Sequence, residues 1–516
     1  MPDMGAFLRE SVQLKELVTG IPGLLISGGT VVVRGLACDT RRLAAGDLFF
    51  ALPGVNCDGQ DYIPAAIAAG ASAIVVSRLP EQDYGVPVVV AENIRLAMAM
   101  VAKCYYGDPT ADLLVIGVTG TNGKTTTTYL LESILQVAGY RPAIFGTVDY
   151  RFAGKRLPAT HTTPESLDLL RMIAAYRADG ADALVLEVSS HALEQHRVDG
   201  IRFDAAIFTN LTPEHLDYHG DMDSYFASKA RLFDMVPARG AIINLDDSYG
   251  VWLKEKHPEA LGFSRNQQAD VRLLNLTSNA DGQTGVLKVE IESLTLKSNL
   301  VGNFNVSNIL GAVTAAHAVG ISTENIAQGV TLAPQVPGRL EKVENEQGVL
   351  ALVDYAHTSD ALSQVLNALH EIPAKARITV VGCGGDRDPK KRPLMAAAAS
   401  RSSDLTILTS DNPRTEDPLE ILEQMKLGAR ETGENELTQL EVVAGQRGFV
   451  VIPDRREALE FAVDIAAEGA ILLVAGKGHE DYQILGDKKV HFDDREELRR
   501  AFSAKEKLRG NDEIRS

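Results

Sequence analysis

The stretch VIGVTGTNGKTTTTYLLESIL, residues 115–135, decides the fold class. An apolar run ends in glycines around a lysine, threonines follow, and an amphipathic stretch closes the motif. That order predicts a strand over Leu113–Val118, a phosphate-cradling loop over Gly120–Thr126, and a helix that buries Leu130, Leu131, Ile134 and Leu135. Gly120 and Gly123 let backbone N–H groups approach phosphate oxygens, and the helix N-terminus adds a positive dipole end. Thr121, Asn122 and Thr126 belong to the same loop, Lys124 suits the terminal phosphates, and Thr125 suits magnesium. In the general P-loop pattern the first glycine would stand at position 118, which is Val; glycines occupy 117 and 120 instead. The motif implies a bound polyphosphate and leaves its use open.

Composition narrows the use. A chain of 516 residues exceeds one ordinary core, so about two to four domains are expected. The net charge of −18 argues against general nucleic-acid binding, which draws on basic surface. The cysteines Cys38, Cys57, Cys104 and Cys383 form no CxxC pair, which suggests a reducing compartment and neither disulfide nor zinc. MPDMGAFLRESVQLKELV lacks a signal-peptide core, and IPAAIAAGASAIVV is short and broken by Gly70. A soluble cytoplasmic protein without membrane insertion is expected.

Short β-rich runs alternate with amphipathic helix-length segments, predicting an α/β fold with largely parallel sheets. YYGDPTADL (105–113) and LAPQVPGRLE (332–341) interrupt the pattern and divide the chain into domains 1–108, 109–338 and 339–516. Polar clusters stand where strands end, in ALVLEVSSH, DAAIFTNLTPEHLD, ITVVGCGGDRD, DLTILTSDNPR and ILLVAGKGHED. Open α/β sheets bind ligands at those ends. Glu187 closes ALVLEV, a usual place for a second magnesium-binding carboxylate, although a solvated strand end would read the same. His215 and Asp217 read equally well as metal-site or structural residues. The last stretch, RRAFSAKEKLRGNDEIRS, is charged and reads as a solvated tail.

GTNGKTT, LEVSSHALEQHRV, HLDYHGDMDSYFASKARLF, GNFNVSN, PGRLE and DYAHTSDAL occur in the order in which the Mur ligase family carries similar motifs. The resemblance runs from about Leu36 to Phe492. It implies an N-terminal uridine-nucleotide domain, a central P-loop-type ATPase, and a Rossmann-like C-terminal domain that binds the incoming amino acid. The implied reaction uses ATP and Mg2+ to convert a muropeptide carboxylate into an acyl phosphate, which an amino acid's amine then attacks. By the same resemblance Thr125 and Glu187 hold magnesium and His215 joins the metal-phosphate network. Lys229, otherwise a solvated helix lysine, matches a carbamylated one. Asn303 and Asn308 match adenine-site positions, although side-chain capping would also explain them. Arg339, Asp354 and His357 match ATP-facing positions. Thr162, Thr163, Ser189, Gln195 and Arg197 match muropeptide contacts. CDTRRLAAGDLFFAL resembles the uridine-site signature, with Cys38 and Thr40 in it, and Val55, Asn56 and Cys57 form a divergent second contact loop.

The last domain speaks to the amino acid. Arg387 in GGDRD and Arg414 in SDNPR could meet a carboxylate, and Glu480 in AGKGHED an ammonium, with Asn412 as a further donor. Asp411, Asn412, Pro413 and Arg414 form DNPR, which resembles the family's diaminopimelate signature; Gly476 and Glu480 lie in the third loop. The implied substrates are UDP-MurNAc-L-Ala-D-Glu and meso-diaminopimelate, handled by a monomer. Competing readings are a lysine-adding or folylpolyglutamate-synthetase-like ligase, a regulatory P-loop NTPase and a small-molecule kinase. Arg414 disfavours the first and the uridine-type domain the second. Substrate-like clusters on all three domains disfavour the third, and a kinase would show no dependence on an amine.

Overall fold

The computed structural model describes residues 11–515 except 22–23, 28–29 and 55–57. Two compact units form: residues up to Arg272 with Leu310–Gly329, and Leu273–Ile309 with Val330 onward. The architecture is α/β with three domains, and the sheets that organise it are mostly parallel.

In the first unit, a five-stranded sheet runs in the order Leu24–Ser27, Val88–Ala91, Ala73–Val76, Asp47–Phe50, Gly35–Ala37. Only the first pairing is antiparallel. The larger sheet has Leu114–Thr119 at its centre, flanked by Ala183–Glu187 and Ala205–Phe208, both parallel to it. Pro142–Phe145 extends it on one side, Ala241–Asn244 and Leu261–Ser264 on the other. An antiparallel ribbon, Asp149–Phe152 with Lys155–Pro158, completes one edge. The central strands are apolar almost throughout because helices cover both faces of a parallel sheet. Register decides where the chemistry gathers. Glu187 pairs with Val118, so the acidic end of one strand lies beside the start of the glycine loop.

The loop is shorter than predicted. The strand is Leu114–Thr119 and the helix Lys124–Val137 begins directly after Gly123, whose φ of 88° turns the chain into it. Lys124, Thr125 and Thr126 are therefore the first helical residues. Their N–H groups have no partner one turn back in the helix, as a phosphate-binding N-terminus requires.

In the second unit, Gly282–Val289 and Glu292–Ser298 form an antiparallel hairpin. A six-stranded sheet runs Glu341–Val343, Leu350–Asp354, Ile471–Ala475, Arg377–Cys383, Leu405–Ser410, Gly448–Val451, parallel except at its first pairing. The expected solvated tail is instead a helix, Asp494–Arg515. Leu498, Ala501 and Phe502 share one face and are buried, and the Gln347 side-chain amide donates to the Phe502 carbonyl at 3.0 Å. Three apolar residues at helical spacing outweigh the charges around them. Among the described residues no helix is long and apolar enough to cross a membrane.

Candidate active site

The glycine loop is shaped from outside by the neighbouring strand end. Asn122 N–H donates to Asn210 Oδ1 at 2.9 Å, Thr209 Oγ1 donates to the Asn122 carbonyl at 2.6 Å, and Thr121 N–H donates to the Asn210 carbonyl at 2.9 Å. Gly120 has a φ of 145°, and a Cβ there would overlap the Thr209 hydroxyl, so the close approach demands glycine. The Lys124 ammonium folds back to the Gly120 and Thr121 carbonyls at 2.9 and 2.8 Å.

Glu187 is 1% exposed. Its Oε1 accepts from Thr147 N–H at 3.1 Å and its Oε2 from Thr147 Oγ1 at 2.8 Å. Each oxygen retains a lone pair for a cation. Gly146 makes room: a Cβ there would overlap Glu187 Oε1. Thr162 Oγ1 lies 3.1 Å from Thr147 Oγ1 and extends the network.

Lys229, on the helix Met222–Ala230, is 2% exposed. Its Nζ donates to the Gly120 carbonyl at 3.0 Å and lies 4.6 Å from the centre of the Tyr225 ring. Burial, then the Lys124 charge, hold this ammonium well below the ordinary lysine range, against a weaker opposing pull from Glu214. A buried amine so inclined to be neutral is the form that reacts with carbon dioxide. His215 has a φ of 58° and is exposed at the start of the short helix Leu216–His219. Its ring meets His191 edge-on, with centroids 4.9 Å apart. Burial and its histidine neighbours hold the His191 imidazole down to about 4.

The implied ATP and magnesium can be judged against these residues. Among the described residues no three His, Cys, Asp or Glu side chains form a group that could hold a metal. Magnesium, however, binds through one or two protein oxygens with phosphates and waters. The buried Thr125 hydroxyl and the half-satisfied Glu187 carboxylate fit that pattern, and the first-turn amides fit the phosphates.

The five candidate muropeptide residues are linked to this network. Thr163 Oγ1 donates to the Glu187 carbonyl at 2.8 Å and accepts from Ser189 N–H at 3.1 Å. Ser189 Oγ caps the next helix by accepting from Ala192 N–H. The Arg197 guanidinium donates to the Thr163 carbonyl and to Gln195 Oε1, each at 2.8 Å, and pairs with Glu165 at 3.0 Å. Thr40 begins a short 3-10 turn, Thr40–Arg42, capped by Asp39. Beside it Arg42 pairs with Asp168 at 2.8 Å, tying the N-terminal sheet to the central one. Burial first, then Glu165 and Asp168, push the Cys38 thiol up to about 11, so it is not a thiolate at neutral pH. Val55, Asn56 and Cys57 lie outside the described residues.

In the second unit, Asn303 bonds Glu371, while Asn308 is buried and donates to Asn305 Oδ1 at 2.8 Å. Asp354 ties the linker to the sheet, accepting from Leu340 N–H at 2.7 Å and Ala356 N–H at 2.8 Å. Burial raises its carboxyl, against Arg339 and those two amides. The Arg339 guanidinium stacks on Tyr355 at 4.6 Å, and His357 Nδ1 lies 3.0 Å from the Tyr355 carbonyl.

Three strand-end loops converge in the same unit. Arg414 has a φ of 52° and donates to the Gly385 carbonyl at 2.8 Å. Gly385 N–H in turn donates to the Asn412 carbonyl at 2.9 Å, joining GGDRD to DNPR. Asn412 Nδ2 donates to Glu480 Oε2 at 3.0 Å, and Asn412 Oδ1 accepts from Ile484 N–H at 2.9 Å. Pro413 is buried beside them, and Arg387 is exposed on the first loop. Gly476, with φ 114°, donates its N–H to the Asp354 carbonyl at 3.0 Å. Burial and the like charge of Asp411 push the Glu480 carboxyl above its usual range, while Lys477 and Asn412 oppose the shift.

Sequence reasoning missed Thr147, Glu165, Lys477 and Arg392. Thr147 carried no signal, being a lone threonine after a glycine. Lys477 was visible in AGKGHED yet reads as a solvated loop lysine. Arg392, 1% exposed, donates to Glu416 at 2.8 Å, and Glu416 accepts from Asp386 N–H, bracing the loop that carries Arg387.

Comparison with known proteins bears on the whole chain. Residues 32–108 match the Mur ligase family catalytic domain, 118–316 the Mur ligase middle domain, and 338–478 the Mur ligase glutamate ligase domain. The UDP-N-acetylmuramoyl-L-alanyl-D-glutamate–2,6-diaminopimelate ligase of Geobacter metallireducens is 49% identical over 92% of this chain and 96% of its own. The chain belongs to the Mur ligase family. The ligase of the same name from Geobacter sulfurreducens is 47% identical over 95% of this chain and 99% of its own. A solved structure of a ligase so named superposes with a TM-score of 0.68 at 35% identity, covering 92% of this chain and 95% of that one. Members of this family that carry those names form bonds between an acid and an amine, so the P-loop here serves a ligase.

Proposed function

We propose that this Mur ligase adds meso-diaminopimelate to UDP-MurNAc-L-Ala-D-Glu at the expense of ATP, in the cytoplasm and as a monomer. The domains are 1–108 for the UDP-muropeptide, 109–338 for ATP and 339–516 for the amino acid. One observation carries the reading: Arg414, Asn412, Asp411 and Glu480 meet on converging loops, in a chain 49% identical to a ligase of that name.

The chemistry asks for two things. A carboxylate is a poor acyl donor, so it must become a mixed anhydride, and two anions must be brought together to make one. ATP supplies the phosphoryl group, and Thr125 with Glu187 would hold a magnesium ion whose charge would offset that of the phosphates. The chain's own residues do the rest. The first-turn amides and Lys124 hold the phosphates, and Arg197 with Thr162, Thr163, Ser189 and Gln195 orients the muropeptide. Lys229, as a carbamate, would carry a negative charge beside Lys124, with His215 in the same network. Asn303, Asn308, Arg339, Asp354 and His357 serve the nucleotide. Arg387 and Arg414 receive the distal carboxylate of diaminopimelate and Glu480 its ammonium, while DNPR and Gly476 shape the pocket.

The test is phosphate release with ATP, magnesium and UDP-MurNAc-L-Ala-D-Glu, comparing meso-diaminopimelate, L-lysine and no amine. Diaminopimelate should exceed lysine by roughly 100-fold or more in kcat/KM, because lysine has no distal carboxylate to pair with Arg387 and the half-buried Arg414. Equal turnover with lysine would overturn the assignment.

A further inference from the structure

Lys477 is completely buried, an expensive place for an ammonium unless it is compensated. Its Nζ lies 3.4 Å from Asp411 Oδ1 and 3.3 Å from Glu480 Oε2. These carboxylates come from two different loops, one after Leu405–Ser410 and the other after Ile471–Ala475. The centre of the Tyr482 ring lies 5.5 Å from the same Nζ. Arg455, also buried nearby, is committed elsewhere, with two bonds to Asp494 of 2.8 and 2.7 Å.

The charges of the group therefore add to a single negative: two carboxylates against one ammonium. Both Lys477 contacts are longer than a tight charge-assisted bond, so the lysine acts on the two carboxylates chiefly through its charge. Asn412 completes the arrangement by donating to the same Glu480 oxygen at 3.0 Å. Two unshielded carboxylates would instead repel, spread the loops and take up a proton, losing their fit to a ligand ammonium.

We propose that Lys477 is a positioning residue for the amino-acid site, bridging Asp411 and Glu480 so that the pair presents one net negative charge to the distal ammonium of the incoming amino acid. The proposal rests on the diaminopimelate reading above. On that reading its two partners face the distal end of the amino acid, away from the bond being made, so the influence of Lys477 is expected on the amino acid's KM.

Steady-state kinetics of the full-length enzyme and two variants test it. Lys477→Met keeps the length of the side chain and removes the charge; it should raise KM for meso-diaminopimelate by about tenfold or more. KM for ATP and for UDP-MurNAc-L-Ala-D-Glu should stay within about twofold of the parent, because neither substrate meets this group. The double variant Lys477→Met/Asp411→Asn restores a single negative charge and should recover much of the lost KM. A lysine that only filled space would not be rescued by removing a second charge, and one that only held the fold would shift thermal unfolding and all three KM values together. An unchanged diaminopimelate KM in Lys477→Met, an equal rise for all three substrates, a double variant no better than the single one, or failure of both to fold would each overturn the proposal. Failure of the parent enzyme to use diaminopimelate would instead overturn the functional reading beneath it.

Discussion

Lys229→Ala should lower turnover by about 10³-fold or more, with part of the loss restored by millimolar acetate or propionate. Lys229 has its Nζ against the Gly120 carbonyl of the phosphate loop, with Lys124 near enough to depress it. As an ammonium it would add a second positive charge at the loop. As a carbamate it becomes an anion: the neutral amine attacks carbon dioxide, the N–C bond forms and one proton is lost. The anion can then pair with Lys124 and orient a cation close to the phosphates. A small carboxylic acid entering the space left by Lys229→Ala would put a carboxylate near the same position, which a cavity caused by misfolding would not reward. Activity is followed by phosphate release and integrity by thermal unfolding. Full activity without added acid would remove Lys229 from the chemistry.

Asp494→Ala should destabilise the C-terminal unit by about 3–5 kcal/mol, because it leaves the Arg455 guanidinium buried and unpaired. Both side chains of the pair are 0% exposed, joined by two bonds of 2.8 and 2.7 Å. Arg455 also donates to the Ser410 and Ala475 carbonyls, each at 3.3 Å, so it ties the C-terminal helix to two strand ends. Those strand ends lead into the loops that carry Asp411 and Gly476. Urea unfolding of the variant reads the loss, and the compensated change Arg455→Met/Asp494→Leu should recover most of it, since a matched apolar pair carries no desolvation cost. A loss below about 1 kcal/mol in Asp494→Ala would mean that water reaches the pair.

What could be read from the chain was what depends on local spacing. The glycine loop, the amphipathic helix behind it and the polar ends of apolar strands all declare themselves within a dozen or so residues, because turn chemistry and periodicity are local. Glu187 was found for that reason. Its partner Thr147 was not: it stands 40 residues away and reaches Glu187 only because Pro142–Phe145 pairs with Ala183–Glu187. Lys477 likewise means little until the loops carrying Asp411 and Glu480 are brought together. The helix at the end of the chain was missed because its charges hid three apolar residues on one face, and the early start of the P-loop helix because its N-cap is Gly123, which offers no side-chain capping signal.

The most direct measurement follows oxygen. With UDP-MurNAc-L-Ala-D-Glu labelled with 18O in the reacting D-glutamate carboxylate, attack of that carboxylate on the γ-phosphate and later expulsion of phosphate must carry one carboxylate oxygen into the product phosphate. One 18O per phosphate released, in a reaction that requires meso-diaminopimelate, is the result predicted. Phosphate free of 18O while the amide bond still forms would contradict the acyl-phosphate route, and with it the use assigned to the loop around Lys124.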